Sequence, residues 1–356
     1  MELPLVRLDE LAPHERALAE AWNCPPTFDG GPVDPQPPTR VVERRAVEAI
    51  ELLLPPRARP RGRDRIPVWI LADPADAEGR FPSPPIRARQ GDVVHALVTA
   101  TAGAHGIHWH GLEPTPCNDG VGQTSFVLTR SFVYQLATRR SGTFLYREAA
   151  PLLFELGLYG LLVVDPPEGE GFVAAHLPDH PGFDPAGGTV PWSAEALWVP
   201  DEFDSRWQDL GLEAFDRDCA DPLVPPDPFR PDVFVVSGVP SDGKAIEDPR
   251  VALEVARGET ILVRLVHAGA TLQEYTLALD ATVIAIDGHA LGAPPFGAYG
   301  APFVIPGGTP FRLTSGRRFD LLLRPAEPGA YPCRFRFLDP ITGALLHNAA
   351  TYVTVR

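Results

Sequence analysis

The chain has 356 residues, 44% hydrophobic and 22% charged, which suits two β-domains with a sizeable core better than one sandwich. Its formal net charge of −15 repels phosphate backbones and anionic lipid, so nucleic acid and membrane surfaces are not expected partners. The 42 Pro and 32 Gly follow no period, and few stretches have the spacing of long helices, so the composition favours an all-β fold with many turns.

Residues 1–65 are predicted to form an N-terminal extension with short helices at 15–22 and 42–54. The first residues mix acidic and basic side chains without an apolar run, so we expect no secretory signal and no membrane span. The chain as it stands is therefore predicted to be cytoplasmic, with the mature form of an exported protein as the alternative. The cysteines, Cys24, Cys117, Cys219 and Cys333, lack the short spacings of a zinc or redox site.

Strand patterning defines a first predicted domain over residues 66–167. Runs rich in Val, Phe, Tyr and Thr occur at 67–71, 92–99, 106–112, 125–136, 142–146 and 159–164, separated by Gly, Pro and Asn-Asp. A Pro- and Asp-rich linker is predicted over 168–230, and a second strand-rich domain over 231–356. In the linker, the acidic run 201–204 with Trp198 and Trp207 allows a recognition surface, but packing of the tryptophans across the domain boundary is the favoured interpretation.

The two strand-rich blocks resemble each other at two places. Residues 86–92, which end in Gly91-Asp92, have a counterpart at 253–259, which ends in Gly258-Glu259. Residues 141–147 are echoed by 328–334. Two copies of one β-domain explain this pattern economically.

The sharpest local feature is the His-Trp-His sequence that carries His108 and His110. Residues two apart in a strand point to the same face, so the two imidazoles are predicted to stand side by side. Imidazole favours copper, zinc, iron or nickel. The alternative is a pair of satisfied polar residues on a sheet face. His105 is a further candidate ligand, whereas His95 is expected to be packed and His267 to lie at the surface.

Several segments in order resemble the first copper domain of the multicopper oxidases. They are 108–111 (His-Trp-His-Gly), 118–122 (Asn-Asp-Gly-Val-Gly), 142–146 (Gly-Thr-Phe-Leu-Tyr) and 157–166 (Gly-Leu-Tyr-Gly through Asp-Pro). The second block is similar, more loosely, to the non-metal domain of a small laccase-like subgroup. The resemblance implies two cupredoxin-like Greek-key β-sandwich domains after the N-terminal extension.

Members of that family carry a mononuclear copper that takes electrons from substrate and a trinuclear cluster, held by four His-x-His pairs, that reduces oxygen to water. The resemblance therefore implies such copper centres here. This sequence keeps one such pair, His108 and His110. At positions where the family pattern has ligands, it carries Gln123, Arg147 and Ala149. Arginine is permanently charged and is not an ordinary metal ligand, so we expect copper to be depleted.

Three functions remain open from the sequence. The favoured one is a protein without oxidase activity that serves as a binding or structural scaffold for an unidentified protein partner. The second is a copper- or zinc-binding protein that uses His108 and His110. The third is a copper-dependent oxidoreductase, with ligands completed between subunits of a homo-oligomer such as the trimers of small two-domain relatives.

Overall fold

The computed structural model of the protein describes residues 37–100, 105–121, 131–149, 151–209, 228–292 and 300–356. Its helices are single turns: two 3-10 turns at Pro56–Ala58 and Pro60–Gly62, then α1 (Pro116–Asp119), α2 (Pro151–Glu155) and α3 (Ser205–Gln208). Everything else that is regular is strand, so the all-β prediction is confirmed. None of the helices in these ranges has the length and apolarity needed to cross a bilayer.

Two four-stranded sheets build the first half of the molecule. Their strands are β1 (Arg40–Leu53), β2 (Arg65–Ala72), β3 (Ser83–Arg89), β4 (Val93–Ala100), β5 (Ile107–His110), β6 (Ser131–Ala137), β7 (Gly142–Glu148) and β8 (Tyr159–Asp165). One sheet has the order β2-β1-β4-β6 and the other β3-β8-β7-β5. Side chains from both sheets meet in one core, with Trp109, Phe144 and Tyr146 facing Val94, Phe132 and Tyr134. We call this half the first sandwich.

The second half is built around two larger sheets. Its strands are β9 (Phe172–Ala174), β10 (Thr189–Pro191), β11 (Ala194–Trp198), β12 (Pro200–Phe203), β13 (Val233–Val236), β14 (Val239–Pro240), β15 (Ala245–Ile246), β16 (Leu253–Val255), β17 (Ile261–Val266), β18 (Leu272–Leu277), β19 (Ala281–Ile286), β20 (His289–Ala290), β21 (Phe303–Ile305), β22 (Phe311–Leu313), β23 (Arg318–Leu323), β24 (Gly329–Leu338) and β25 (Leu345–Val355).

One large sheet follows the order β11-β17-β23-β19-β20, with β21 also on β19, and the other β15-β25-β24-β18-β22, with β16 also on β25. The two sheets share a second core that contains Trp198, Tyr275 and Phe335, and we call them the second sandwich. A small sheet, β12-β13-β14, and the hairpin of β9 and β10 complete the structure.

The predicted helix at 42–54 is wrong, because this segment is strand β1. Its Arg, Glu and Ala residues favour a helix locally, yet β1 pairs in parallel with β4 over residues 40–46 and antiparallel with β2 over residues 45–53. Fourteen of the 65 residues predicted as an N-terminal extension thus form a central strand of the first sandwich. The other predicted helix, at 15–22, lies outside the described residues.

The segment predicted as a linker holds four strands, β9 to β12. Strand β11 pairs in parallel with β17 and so belongs to the second sandwich. Its tryptophans pack, but each lies within one core and not across the boundary as predicted: Trp207 is in the first core and Trp198 in the second. The alternative interpretation, a recognition surface at residues 201–204, is wrong, because Asp201, Glu202 and Asp204 are all buried.

The predicted internal similarity is visible in the strand pairing. β3 runs parallel to β8, which is antiparallel to β7, and β16 runs parallel to β25, which is antiparallel to β24. The turns after β3 and β16 also agree. The Asp92 carboxylate accepts from the backbone N–H of Arg89 at 2.7 Å, and the Glu259 carboxylate accepts from that of Ala256 at 2.7 Å.

Candidate functional site

The two histidines of β5 stand on the same face of that strand, as predicted. Ile107 and Trp109 point into the core, while His108 and His110 are half-buried on the opposite side. The two imidazole centroids lie 5.5 Å apart, with ring planes at 86°. Because β5 ends the order β3-β8-β7-β5, its pair stands at the edge of the first sandwich.

Strand β5 is fixed from the core side by aromatic residues. The Trp109 ring lies 5.6 Å from Tyr134 and 6.0 Å from Tyr146, measured between centroids. The Tyr134 hydroxyl accepts a hydrogen bond from the backbone N–H of Ile107 at 3.0 Å. Burial raises the pKa of Tyr134 well above that of an exposed phenol. The histidine pair therefore stands on a rigid strand.

The turn after α1 holds the outer side of His108. The Nδ1 atom of His108 lies 3.2 Å from the carbonyl oxygen of Asp119 and 3.1 Å from its Oδ1. Gly120 brings this turn close to β5, because a Cβ there would lie 2.0 Å from the carbonyl oxygen of Ile107. Donation from Nδ1–H to the carbonyl selects the tautomer whose Nε2 lone pair is open to a ligand.

Two arginines flank the pair. Arg147 is the cross-strand partner of His108 in the β5–β7 register, and directly opposed residues of an antiparallel pair share one face. Its guanidinium lies over the Phe154 ring at 5.1 Å and donates to the carbonyl oxygen of Glu148. Arg318, from the second sandwich, is 2% exposed and donates to the carbonyl oxygens of Thr143 and Gly316.

The electrostatics of His110 follow from these neighbours. Burial, with Arg318, Arg147 and His108 nearby, lowers the pKa of His110 to about 3, so this imidazole is neutral at physiological pH. Its Nδ1 atom is buried and has no hydrogen-bond partner among the described residues. A Cβ at Gly316 would lie 3.5 Å from the Cε1 and Nε2 atoms of His110, so the β22–β23 turn closes over this ring.

The remaining candidate ligand positions, apart from Arg147, are not seen beside the histidine pair among the described residues. Glu148, between Arg147 and Ala149, points to the core side, where it accepts from the backbone N–H groups of Gly106 and Ala149. It also lies 2.8 Å from the Nδ1 atom of His105, which is buried, and this contact does not test the prediction of a third ligand at His105. Gln123 lies outside the described residues.

The remaining histidines and cysteines lie in different surroundings. His267 is fully buried, so its predicted surface position is wrong. Its Nδ1 contacts the carbonyl oxygen of Leu313, and burial lowers its pKa to about 4. His95 is buried, as predicted. Cys333 is a free, buried thiol whose pKa burial raises to about 12.

The sequence reasoning missed two neighbours of the pair. Arg318 comes from the other sandwich, more than two hundred residues along the chain, and no local pattern could have brought it to His110. Asp119 did carry a signal, because the Asn-Asp-Gly run is typical of a tight turn.

Copper, the metal implied by the resemblance, can be tested against these side chains. A blue-copper centre needs a thiolate with imidazoles, and the described surroundings of the pair provide two imidazoles, the Asp119 carboxylate and two guanidiniums. Across the described residues, no three His, Cys, Asp or Glu side chains are grouped so that they could hold a metal ion. The described residues therefore do not fit a multinuclear copper centre.

Comparison with known proteins supports the interpretation of this region. A family profile described as multicopper oxidase matches residues 74–169. An L-ascorbate oxidase of Cucumis sativus is 39% identical over 98 residues, which cover 26% of this chain and 17% of the relative. The copper resistance protein A of Pseudomonas syringae pv. tomato is 35% identical over 98 residues, or 26% of this chain and 16% of that protein. The chain thus spans less than a fifth of these relatives.

The structural likeness extends over both sandwiches. A blue copper oxidase from Nitrosomonas europaea superposes with a TM-score of 0.61 at 19% identity, over 89% of this chain and 86% of that one. At this identity the likeness defines the fold, which is cupredoxin-like. Residues 74–169 match the multicopper oxidase profile, as the motifs in this segment predicted.

Proposed function

We propose that this protein is a multicopper-oxidase-like scaffold that has lost oxidase activity and acts by binding another protein, on two cupredoxin-like Greek-key sandwiches. The observation that carries the proposal is the placement of two permanent cations beside the histidine pair. Arg147 opposes His108 across the strand pair, and the buried Arg318 is near enough to help lower the pKa of His110. A guanidinium repels a copper ion and offers no lone pair to it.

The surface supports a protein partner. The tip and outer face of the β24–β25 hairpin expose Ile341, Leu345 and Tyr352, with 92%, 47% and 40% of their surface accessible. These exposed side chains along one hairpin offer apolar area to a protein partner. The net charge of −15 favours a partner with a basic surface and disfavours nucleic acid.

Metal content tests the loss of activity. We expect the full chain, dialysed against copper and then freed of loose metal, to retain no stoichiometric copper by mass spectrometry and to show no blue absorbance. It should also not oxidise a phenol with consumption of oxygen. Copper retention with oxygen-dependent oxidation that His108→Ala removes would contradict the proposal.

A gain-of-ligand variant sharpens this test. Arg147→His with Ala149→His restores imidazoles to two positions of the family pattern and removes one cation. The double variant should bind more copper than the parent chain. A matched control, Arg139→His with Ala137→His, adds the same two residues outside the pair and should leave copper retention at the site unchanged. Equal uptake by both double variants would mean that the added histidines bind copper wherever they stand.

A second candidate function is binding of a single copper or zinc ion by the pair. It is favoured by the neutral state of His110 and by the contact of His108 Nδ1 with Asp119, an arrangement typical of metal-ligating histidines. Two imidazoles leave coordination positions for a second copy of the chain. Tight zinc binding that each of His108→Ala and His110→Ala abolishes, with metal-dependent oligomerisation in sedimentation, would select this function over the scaffold.

A further inference from the structure

A cavity that is separate from the histidine pair opens where the two sandwiches and the β9–β10 hairpin converge. It encloses about 670 Å³, within the range of small-molecule sites. The first sandwich contributes Glu113 and the turn between β6 and β7, the hairpin contributes residues 185–188, and the second sandwich contributes His289. No residue of the His108/His110 pair lines it.

The charge of this lining is opposite to that of the protein. Its charged side chains among the described residues are Arg139, Arg140 and Glu113, together with two histidines, His176 and His289. With both histidines neutral, the lining residues sum to one positive charge, on a chain whose formal net charge is −15. A local basic cavity on an acidic protein is complementary to an anion that enters it and is not a consequence of overall charge.

Arg140 is oriented before any ligand arrives. Its Nη1 donates to Nε2 of His289, whose Nδ1 lies 3.0 Å from the carbonyl oxygen of Asp287, and this bond selects the tautomer with an accepting Nε2. Its Nη2 lies 2.8 Å from the Glu113 carboxylate, which is 73% exposed. An exposed carboxylate gains little from such a pair, so the carboxylate or phosphate of a ligand can take its place on the same fork.

Arg139 adds a second guanidinium at the rim. Its backbone carbonyl accepts from the Gln90 side chain at 3.3 Å, which ties the turn to the loop after β3. Within the part of the chain that the structure describes, its guanidinium has no acidic partner. The facing wall consists of small residues, 186–188, and the carboxylates of Glu168 and Asp184 stand beside Gly187. Asp184 closes this turn by accepting from the N–H groups of Ala186 and Gly187. Asp184 is thereby occupied by its own turn.

We propose that this cavity binds a small molecule through a carboxylate or phosphate group, which is held by Arg140 and Arg139 after Glu113 is displaced. The inference does not rest on the proposed scaffold function, because it uses none of the residues of the histidine pair. An oxyanion matches the planar fork of Arg140 with two parallel hydrogen bonds, and Arg139 supplies the second charge.

Calorimetric titration of the full chain with inorganic phosphate and, separately, with citrate tests this site at low ionic strength. We expect saturable binding of at least one probe at one site per chain. Arg140→Gln and Arg139→Gln should each weaken it about tenfold, the loss typical of one charged hydrogen-bonding partner. Arg140→Lys, which keeps the charge without the fork, should fall between Arg140→Gln and the parent.

The matched control is Arg334→Gln, which removes the same charge from an exposed position of β24 outside the cavity. It should bind the probe as the parent does. Arg139 is exposed and has no ionic partner in the described structure, so Arg139→Gln is expected to fold even if Arg140→Gln does not. Absence of saturable binding by both probes, or equal weakening by Arg139→Gln and Arg334→Gln, would overturn the proposal.

Discussion

Arg264 of β17 is the centre of a buried ionic network between the two sandwiches, and its removal should destabilise the protein strongly. The side chain is 1% exposed, and its Nε donates to Glu195 at 2.7 Å. One terminal nitrogen lies 2.9 Å from the Thr143 hydroxyl and 3.6 Å from Asp320, and the other lies 3.7 Å from Asp165. One guanidinium therefore serves three carboxylates and a hydroxyl of the first sandwich.

The magnitude follows from what Arg264→Met leaves behind. Asp165 and Glu195 keep an ion pair with Arg87, whereas Asp320 keeps the hydrogen bond from Thr143. The substitution therefore leaves mainly one buried carboxylate, that of Asp320, without a full counter-charge. Removing one partner of a buried ion pair costs about 3–5 kcal/mol, and we expect a loss of unfolding free energy in that range at pH 8.

The loss should depend on pH through Asp320. Burial already raises the pKa of Asp320, although Arg264 and the Thr143 hydrogen bond oppose the rise, so Arg264→Met should raise it further. A carboxyl whose folded pKa exceeds its unfolded value is destabilising at high pH, and the penalty fades as pH falls toward the unfolded pKa of about 3.9. The deficit of the variant should therefore be smaller at pH 5 than at pH 8.

Urea unfolding followed by tryptophan fluorescence measures this loss, with Trp109 and Trp198 reporting on separate cores. Adding Asp320→Asn to Arg264→Met should recover most of the deficit, because it removes the uncompensated charge. The matched control is Arg257→Met, whose exposed pair with Glu327 should be worth at most about 1 kcal/mol. Equal losses in Arg264→Met and Arg257→Met, or no recovery in the double variant, would refute the reasoning.

The remaining predictions concern glycine geometry and buried titrating groups. Gly120→Ala should lower the free energy of unfolding by about 2–5 kcal/mol, because its Cβ meets the Ile107 carbonyl at a positive φ. Gly91→Ala, which has a positive φ but open space, should lower it by about 1–2 kcal/mol. Urea unfolding compares the two variants, and equal costs would contradict the close approach. Because burial lowers the pKa of His267 to about 4, the parent protein should lose roughly 3 kcal/mol of unfolding free energy as pH falls from 6.5 to 4. His267→Gln should lose less over the same pH range in unfolding titrations. Identical pH profiles of the two proteins would argue against a neutral buried imidazole. Burial raises the pKa of Asp201 and of the neighbouring Glu202, so stability should fall as pH rises from about 4 to 8. Asp201→Asn should show a smaller fall in thermal melting, and an equal fall in the variant and the parent would contradict the raised pKa of Asp201.

Much of the first sandwich was predictable because its strands carry local alternation of side chains. Strands β2, β4, β7 and β8 lie within about two residues of their predicted bounds, and the shared face of His108 and His110 follows from the period of a strand. Strand β1 was not predictable in this way. Its residues favour a helix locally, and only pairing with two strands distant in sequence makes it extended.

The environment of the site was less predictable than its residues. The family resemblance placed Arg147 at a ligand position, but its opposition to His108 depends on the pairing of β5 with β7, which β6 separates in sequence. Arg318 and the burial of His267 depend on how the second sandwich packs against the first, which no local period encodes. The charge around a site assembled from two sandwiches therefore depends on tertiary packing, whereas the strand that carries the histidines follows from the local sequence.

The family motifs that this chain retains have structural roles that require no metal. Asn118 accepts from the backbone N–H of Gln135, and Gly120 lets its turn approach β5. At Gly160, a Cβ would lie 2.5 Å from the hydroxyl oxygen of Tyr146, so any larger residue would displace that ring. Asn118, Gly120 and Gly160 thus each satisfy a constraint of backbone or packing, whereas no such constraint is visible for the side chain of Ala149, just after β7. The likeness to a copper domain in these segments can therefore be maintained by the requirements of the fold alone.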